Sequence, residues 1–316
     1  MLHNIFIIMM LDDKKYIEEG VASIAGVDEV GRGPLCGPVV ASAVMFPMGL
    51  MVEGINDSKK LSSKKREFLF HIIHEKALSI GIGVVHEDKI DELNILNATM
   101  MAMRKAVEQL DITPNMILVD GNMKNLTTIS QKNIIRGDSK SLCIAAASII
   151  AKVTRDQMML EYDKIFPGYG LSTNMGYGTK EHIAAIKSNF STPIHRQSFK
   201  PILDYMPKFS DIMDIGILSI ELAACEMVKS GHKIIRIKDK SLKMVDIISS
   251  FNSQYFAFKL HTGNNEIKRI KNEMIKESES VLLEDNIKKD ITSSINISVI
   301  SVQFSRNKPK IIFKSI

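Results

Sequence analysis

Residues 24–34 read IAGVDEVGRGP, and this stretch decides the fold that the sequence predicts. An apolar strand over 24–27 runs into Asp28 and Glu29, a glycine-rich turn follows, and residues 39–46 form a second strand, so the pattern predicts an early hairpin. Carboxylates beside a core are costly to desolvate unless a cation or hydrogen-bond donors meet them. The two acids therefore need an explanation beyond solubility.

Outward from this hairpin, strands and helices continue to about residue 205 and predict an α/β domain. Its expected strands lie at 80–85, 116–119 and 133–136, and its expected helices start after Ser62 or Ser63, near Ile95 and near Ser141. The methionines of the second helix are expected to fill the core. After Pro207 a second, smaller α/β unit is expected, with helices at 221–230 and 267–275 and strands at 234–237, 245–248, 255–260, 295–304 and 311–313.

A length of 316 residues fits two domains at about 150 residues each. We expect an N-terminal extension over 1–22, a catalytic domain over 23–206 and a C-terminal domain over 207–316. With 45% hydrophobic and 24% charged residues, the composition is that of a globular protein and argues against disordered and coiled-coil classes. The net charge of +5 permits a polyanionic partner without requiring one.

Three widely spaced cysteines, Cys36, Cys143 and Cys225, show no metal-ligand spacing and indicate a reducing compartment. The apolar stretch 2–11 lacks a basic start and a cleavage site, and is too short to span a membrane. We therefore expect a cytoplasmic protein with no membrane partner, and a monomer.

Four acids follow or adjoin predicted strands: Asp28, Glu29, Asp120 and Asp138. Taken singly, each acid is more often a turn or cap residue, and this reading is favoured for Asp138 and as good as the functional one for Asp120. As a set they suit two hard divalent ions, Mg²⁺ or Mn²⁺, which prefer oxygen ligands and can support phosphodiester hydrolysis.

Positive charge crowds the start of the first helix, where the helix dipole disfavours it. Lys59 follows Asp57 and Ser58, and Lys60, Lys64, Lys65 and Arg66 come next. An anion such as phosphate would relieve this cost, although a solvated basic face explains the pattern as well. Ser148, Lys152 and Asp156 form a polar stripe that faces either a cleft or solvent.

About 180 residues, 24–201, resemble bacterial ribonuclease HII in both motifs and motif order. The motifs are GVDEVGRGP at 26–34, NDSKKL at 56–61, LVDG at 118–121, GDSK at 137–140, AAASIIAKVTRD at 145–156, GYGT at 176–179, and HR at 195–196 before Phe199. The sister family ribonuclease HIII has a lysine in place of Arg32 and an N-terminal substrate-binding domain, for which the short leader leaves no room.

The resemblance implies a ribonuclease H-like fold, a mixed sheet flanked by helices, and a metal-dependent endonuclease. Such an enzyme cuts RNA in RNA/DNA hybrids and cuts 5′ of a single ribonucleotide in duplex DNA, leaving 5′-phosphate and 3′-hydroxyl ends. It also implies that Asp28, Glu29, Asp120 and Asp138 bind the metal. The Gly31-Arg32-Gly33 turn would approach the 2′-hydroxyl, Tyr177 would stack on the next deoxyribose, and Lys59 would hold a phosphate.

Two other functions remain open: a DNA nuclease or phosphoryl transferase that uses the same acids, and a protein that binds hybrids without cleaving them. The first predicts equal cleavage of all-DNA duplexes, and the second predicts binding without metal-dependent scission.

The C-terminal segment resembles the YraN-like family, which has a restriction-endonuclease-like fold. Asp246 and Lys259 match that family's core, but Ala257 stands where its glutamate is expected, and alanine cannot bind metal. The resemblance implies a domain that has lost cleavage and serves as a nucleic-acid-binding or structural module. An unrelated α/β appendage is the alternative.

Overall fold

The computed structural model describes residues 13, 15–16, 18–55, 58–208, 211, 214–238, 242–260, 266–284, 295–304 and 309–315. These residues form two compact units. The first unit runs to Gln157 and includes Met175–Thr179 and Ile194–Asp204, and the second takes Met158–Asn174, Lys180–Pro193 and the chain from Tyr205 onward. The domain limits expected from the sequence stay predictions, and most of the expected extension lies outside the described residues.

The first unit is built on a mixed five-stranded sheet in the order β3-β2-β1-β4-β5. Its strands are β1 (Ile24–Val30), β2 (Val39–Met45), β3 (Ser79–Val85), β4 (Met116–Asp120) and β5 (Ser130–Ile134). Strands β1 to β3 form antiparallel pairs, so the predicted hairpin is confirmed, whereas β4 runs parallel to both β1 and β5. This mixed sheet flanked by helices is the α/β arrangement that the family resemblance implies.

Helices cover the two faces of this sheet. They are α1 (Ser63–Lys76), α2 (Glu87–Leu93), α3 (Ile95–Glu108) and α4 (Leu142–Ile165). Helix α4 belongs to the first unit only as far as Gln157. Helix α3 buries Met103 and packs Met100 and Met101 against the core, as predicted for core-filling methionines. The short α2 was not predicted because its seven residues include only two apolar ones.

The start of α4 lies directly against β1. A Cβ on Gly26 would be 2.1 Å from the carbonyl carbon of Cys143, so only glycine permits this approach. The small residues Ala145, Ala146 and Ala147 of the same helix are also fully buried. This close packing places Ser148 of α4 beside the acids that follow the β1 core.

The second unit contains the end of α4, the short helices α5 (Leu171–Asn174) and α6 (Lys180–Asn189), and a second sheet with two longer helices. Its sheet has the order β10-β9-β8-β7-β6, with β8 and β9 parallel and the other pairs antiparallel. The elements are α7 (Ile215–Lys229), β6 (Lys233–Ile237), β7 (Ile247–Phe251), β8 (Gln254–Leu260), α8 (Glu266–Glu284), β9 (Ile295–Gln303) and β10 (Lys310–Ser315).

Several boundaries in the second unit differ from the prediction, and the largest difference is at the end of α8, which runs to Glu284 instead of residue 275. Helix α7 starts six residues before Glu221 because the carboxylate of Asp214 accepts hydrogen bonds from the N–H groups of Gly216 and Ile217 and caps it there. Strand β7 starts at Ile247 instead of Val245, because the backbone N–H of Val245 donates to the carboxylate of Glu277 at 2.8 Å and not to a neighbouring strand.

Cys36, Cys143 and Cys225 are buried free thiols. Among the described residues, no helix combines the length and the apolar character that crossing a membrane requires. The expected cytoplasmic location and monomeric state stay predictions.

Candidate active site

Strand register brings the acids of β1 and β4 to one edge of the first sheet. The two strands are parallel neighbours, and Val27 pairs with Val119. The next residues on each strand are Asp28 and Asp120, so two acids 92 positions apart in the sequence stand side by side. Because the carboxyl ends of parallel strands meet at one edge, this convergence follows from the topology.

Asp28 is the most buried of the four acids, with 6% of its surface exposed. Burial raises its pKa well above the ordinary value, and the charges of Glu29 and Asp120 raise it further. A hydrogen bond with Ser148 and one from the backbone N–H of Glu29, 2.7 Å from Oδ1, act in the opposite direction. Ser148 lies 2.9 Å from the hydroxyl of Ser58.

Glu29 is half-buried, and its pKa is also raised. Burial is the largest cause, Arg32 lowers the pKa, and Asp120 raises it. The guanidinium of Arg32 lies 3.3 Å from Oε1 of Glu29. Asp28, Glu29 and Asp120 therefore form one electrostatically coupled group.

Asp138 lies on the turn next to this group. The backbone N–H of Gly137 donates to Oδ1 of Asp120 at 2.6 Å, and Asp138 follows in the 3-10 turn Gly137–Ser139. Asp138 is half-buried. Among the described residues, no three of these four carboxylates bring oxygens within 4.8 Å of one another.

The donor set fits hard divalent ions. It consists of carboxylate oxygens, the ligands that Mg²⁺ and Mn²⁺ prefer. The raised pKa values of Asp28 and Glu29 come from burial and mutual repulsion, which a cation between the carboxylates would relieve. Asp28, Glu29, Asp120 and Asp138 are the residues that would hold such ions.

Two buried arginines contact the glycine turn after β1 and the residues that follow it. Arg196, fully buried, donates to the carbonyls of Gly31, Arg32 and Gly37 at 2.6–3.0 Å. Arg155 of α4, also fully buried, donates to the carbonyls of Cys36, Pro38 and Met175 at 2.9–3.1 Å. Burial and then the charge of Arg155 lower the pKa of Arg196 to about 10.

Both arginines belong to motifs of the sequence, but the sequence analysis predicts no function for either of them. One signal was available for Arg155, because it is a cation on a helix that is otherwise rich in small apolar residues.

The backbone of Gly31 has φ +93°, and a Cβ on it would lie 2.4 Å from Nε of Arg155. The turn therefore requires glycine at this position.

Tyr177 and Lys59 border the same region. Tyr177 is 44% exposed, and a Cβ built on Gly33 would lie 3.6 Å from its Cε1. Lys59 is exposed on a 3-10 turn directly after Ser58, the partner of Ser148. Asn56 and Asp57, which begin that motif, lie outside the described residues.

Arg66, Lys152 and Asp156, three of the predicted basic or polar residues, have structural partners. Arg66 donates to the carbonyls of Ser58 and Leu61, so it fixes the turn that carries Lys59. Lys152 and Asp156 form an ion pair at 2.7 Å, and each side chain is only 18% exposed, so this part of the stripe does not face open solvent. Lys64 and Lys65 remain exposed.

The family model described as Ribonuclease HII matches residues 25–202, more than half of the chain. The chain belongs to the ribonuclease HII family. It is 56% identical to ribonuclease HII of Clostridioides difficile (strain 630) over 182 residues, which are 58% of this chain and 71% of that protein. It is 49% identical to ribonuclease HII of Listeria innocua serovar 6a over 207 residues, which are 64% of this chain and 79% of that protein.

Among solved structures, the crystal structure of ribonuclease H2 from Pyrococcus horikoshii OT3 aligns with a TM-score of 0.51 and 26% identity. The alignment covers 58% of this chain and 96% of the archaeal one. As a ribonuclease HII, the protein is a metal-dependent type 2 ribonuclease H, an endoribonuclease that acts on RNA/DNA hybrids.

The second unit of this ribonuclease HII has its own charged cluster. The side chain of Asp246 is 2% exposed, and its Oδ1 lies 3.3 Å from Nζ of Lys238 and 3.4 Å from Nζ of Lys259. Its Oδ2 accepts the backbone N–H of Leu260 at 2.7 Å. Both carboxylate oxygens therefore have partners within the protein.

These residues line a cavity of ≈ 780 Å³ together with Glu221, whose pKa is raised to about 7 by burial. Ala257 is fully buried in the core of this unit and offers no ligand atom. The YraN-like resemblance stays a prediction.

Proposed function

We propose that this ribonuclease HII cuts the RNA strand of hybrids and also cuts 5′ of a single ribonucleotide in duplex DNA, through two divalent ions. The supporting observation is the group formed by Asp28, Glu29 and Asp120, which lies directly before a glycine turn held by buried arginines. The acids suit phosphodiester chemistry, and the turn suits recognition of a sugar.

Asp28, Glu29, Asp120 and Asp138 hold Mg²⁺ or Mn²⁺ in this proposal. Ions held there would activate the attacking water and would neutralise the charge that develops on the leaving 3′-oxygen. Water attacks the phosphorus, the bond to the 3′-oxygen breaks, and the products carry 5′-phosphate and 3′-hydroxyl ends. Burial of Asp28 and its hydrogen bond with Ser148 keep that carboxylate in one orientation.

The Gly31-Arg32-Gly33 turn reads the 2′-hydroxyl, the group that distinguishes RNA from DNA. Arg196 holds the carbonyls of Gly31 and Arg32. The backbone is therefore fixed before substrate arrives, which reduces the ordering cost of recognition. Tyr177, exposed beside Gly33, stacks on the deoxyribose that follows, and Lys59 holds a phosphate near the scissile bond.

The experiment compares three substrates of one sequence: a duplex with one ribonucleotide, an RNA/DNA hybrid and an all-DNA duplex. Each is incubated with Mg²⁺, with Mn²⁺ or with a chelator. We expect metal-dependent scission of the single-ribonucleotide duplex, 5′ of the ribonucleotide, and of the RNA/DNA hybrid. We expect no scission of the all-DNA duplex. Equal cleavage of the all-DNA duplex would favour a general DNA nuclease, and binding without scission would favour a hybrid-binding protein.

A further inference from the structure

Asp13 lies in the segment before β1 and contacts the start of α4, about 130 residues away in the sequence. Its Oδ1 accepts the hydroxyl of Ser141 at 2.6 Å, and its Oδ2 accepts the backbone N–H groups of Leu142 at 2.8 Å and Cys143 at 3.4 Å. The first N–H groups of a helix have no partner within the helix. A carboxylate from a remote segment supplies partners here.

Packing holds this segment in place. Tyr16 and Val21 contact an apolar cluster formed by Ile24, Leu118, Ile134 and Ile144. The backbone N–H of Val21 also donates to the carbonyl of Tyr16 at 3.0 Å. Asp13 is thus presented to α4 by a docked segment.

The turn that carries Asp138 lies between two carboxylate anchors. At one end, the N–H of Gly137 donates to Asp120 at 2.6 Å. At the other end, Ser141 donates its N–H to the carbonyl of Gly137 at 2.8 Å and its hydroxyl to Asp13. A single 3-10 turn has little stability of its own, so its position depends on such anchors.

Ser141 would cap α4 without Asp13. Its hydroxyl accepts the N–H of Ile144 at 3.2 Å, which is the usual capping bond. The bonds to Asp13 are additional, and they fix Ser141 and Leu142 at the point where the Asp138 turn joins the helix. Their location indicates a role in placing that turn.

We propose that Asp13 is a positioning residue for Asp138: it fixes the junction between the Asp138 turn and α4, and with it the placement of Asp138 next to Asp120. This inference rests on the proposed function, in which Asp138 is a metal ligand. Groups that orient a ligand without touching the metal typically account for about 10–100-fold in metal affinity. Asp13 acts through the chain from Ser141 to Asp138 and does not touch substrate or metal.

The test measures Mn²⁺ binding to the full-length protein by electron paramagnetic resonance of free Mn²⁺, without substrate. For Asp13→Ala we expect the dissociation constant for Mn²⁺ to rise about tenfold or more. Cleavage should need correspondingly more metal, while the rate at saturating metal stays near that of the unchanged protein. Asp13→Glu keeps the carboxylate and should restore part of the affinity.

Asp214→Ala is the matched control, because Asp214 also caps a helix by accepting two backbone N–H groups, but in the second unit. We expect it to leave Mn²⁺ binding unchanged. If Asp13→Ala fails to fold, Asp13→Asn replaces it, since it keeps the shape and loses only the charge and one acceptor. Unchanged Mn²⁺ affinity in a folded Asp13 variant would overturn the inference.

Asp138→Asn separates this inference from the proposed function. If Asp138→Asn leaves Mn²⁺ binding intact, the proposed ligand set is wrong. If Asp138→Asn weakens binding and the Asp13 variants do not, only the positioning role is wrong. The double variant should bind Mn²⁺ no more weakly than Asp138→Asn alone, and fully additive losses would show that Asp13 does not act through Asp138.

Discussion

Burial and two neighbouring carboxylates oppose the ionised form of Asp28 and raise its pKa. The pKa of Asp28 is therefore higher in the folded chain than in the unfolded chain. At pH values between these two pKa values, the folded chain binds more protons than the unfolded chain. Stability of the metal-free protein falls as the pH rises through that window and stays at the lower level above it. A bound cation would relieve this cost, so stability and metal binding are coupled at this residue.

We predict that Asp28→Asn loses cleavage by at least about a hundredfold, because a ligand is removed while the side-chain shape is kept. The same variant should unfold at a higher temperature than the unchanged protein at neutral pH without metal, since a buried charge has gone. Added Mn²⁺ should raise the unfolding temperature of the unchanged protein only. Calorimetry and a hybrid-cleavage assay check this prediction, and full activity in the variant would contradict it.

At Tyr177, the exposed ring beside Gly33 leads to a prediction about substrate choice. Tyr177→Ala should lose more activity on a single embedded ribonucleotide than on a long hybrid. Only the embedded ribonucleotide is followed directly by a deoxyribonucleotide in the same strand, which is the junction that Tyr177 would contact. Loss of base or sugar stacking is worth about 1–3 kcal/mol, roughly 5- to 150-fold in rate. Single-turnover rates on both substrates check the ratio, and equal losses would exclude a junction-sensing role.

At the scale of elements, the glycine turn depends on residues outside itself. With one planar fork Arg196 reaches two of the turn's carbonyls, those of Gly31 and Arg32, and also the carbonyl of Gly37, which a lysine cannot reproduce. Its side chain is fully buried, so the turn and the arginine are ordered together.

We predict that Arg196→Lys lowers the free energy of unfolding by about 2–4 kcal/mol, since buried carbonyls lose charged donors. It should also reduce the preference for ribonucleotide-containing duplex over all-DNA duplex. The matched control is Arg104→Lys, because the Arg104 guanidinium donates to the single carbonyl of Leu126 in the same unit. An unchanged substrate preference in a destabilised Arg196 variant would limit that residue to a structural role.

The elements themselves were largely predictable, because periodicity and caps are local. The antiparallel hairpin, helix α3 and the long helix α4 lie close to their expected limits. Strand β5 lies at Ser130–Ile134 instead of 133–136, since Arg136 takes φ 57°, which a strand does not permit. Helix α7 began earlier than predicted although its signal, Asp214 at the N-cap, was present in the sequence.

At the scale of the whole molecule, the two units differ in what their acids can do. The acids of the first unit repel one another, whereas Asp246 of the second unit is paired with Lys238, Lys259 and the N–H of Leu260. A carboxylate with satisfied partners gains little from a metal ion.

We predict that Asp246→Asn leaves hybrid cleavage within about twofold, because the change lies outside the group at β1 and β4. It should still lower the stability of the second unit by about 1–3 kcal/mol, since a buried carboxylate that accepts charged hydrogen bonds from two lysines is replaced. Denaturant unfolding and the cleavage assay measure the two effects. Metal-dependent cleavage that survives in Asp28→Asn and vanishes in the double variant would show that the second unit is itself a nuclease.

The sequence by itself determined the elements and the chemistry, because an apolar strand that ends in acids, a glycine turn and a run of small residues are properties of neighbouring positions. Only the tertiary structure decided which residues meet. Parallel pairing set Asp28 beside Asp120, buried arginines took the carbonyls of the turn, and Asp13 reached the start of α4. Each of these contacts joins residues about 90 or more positions apart. A local sequence pattern cannot predict such a pairing, because only packing of the core selects which distant residues meet.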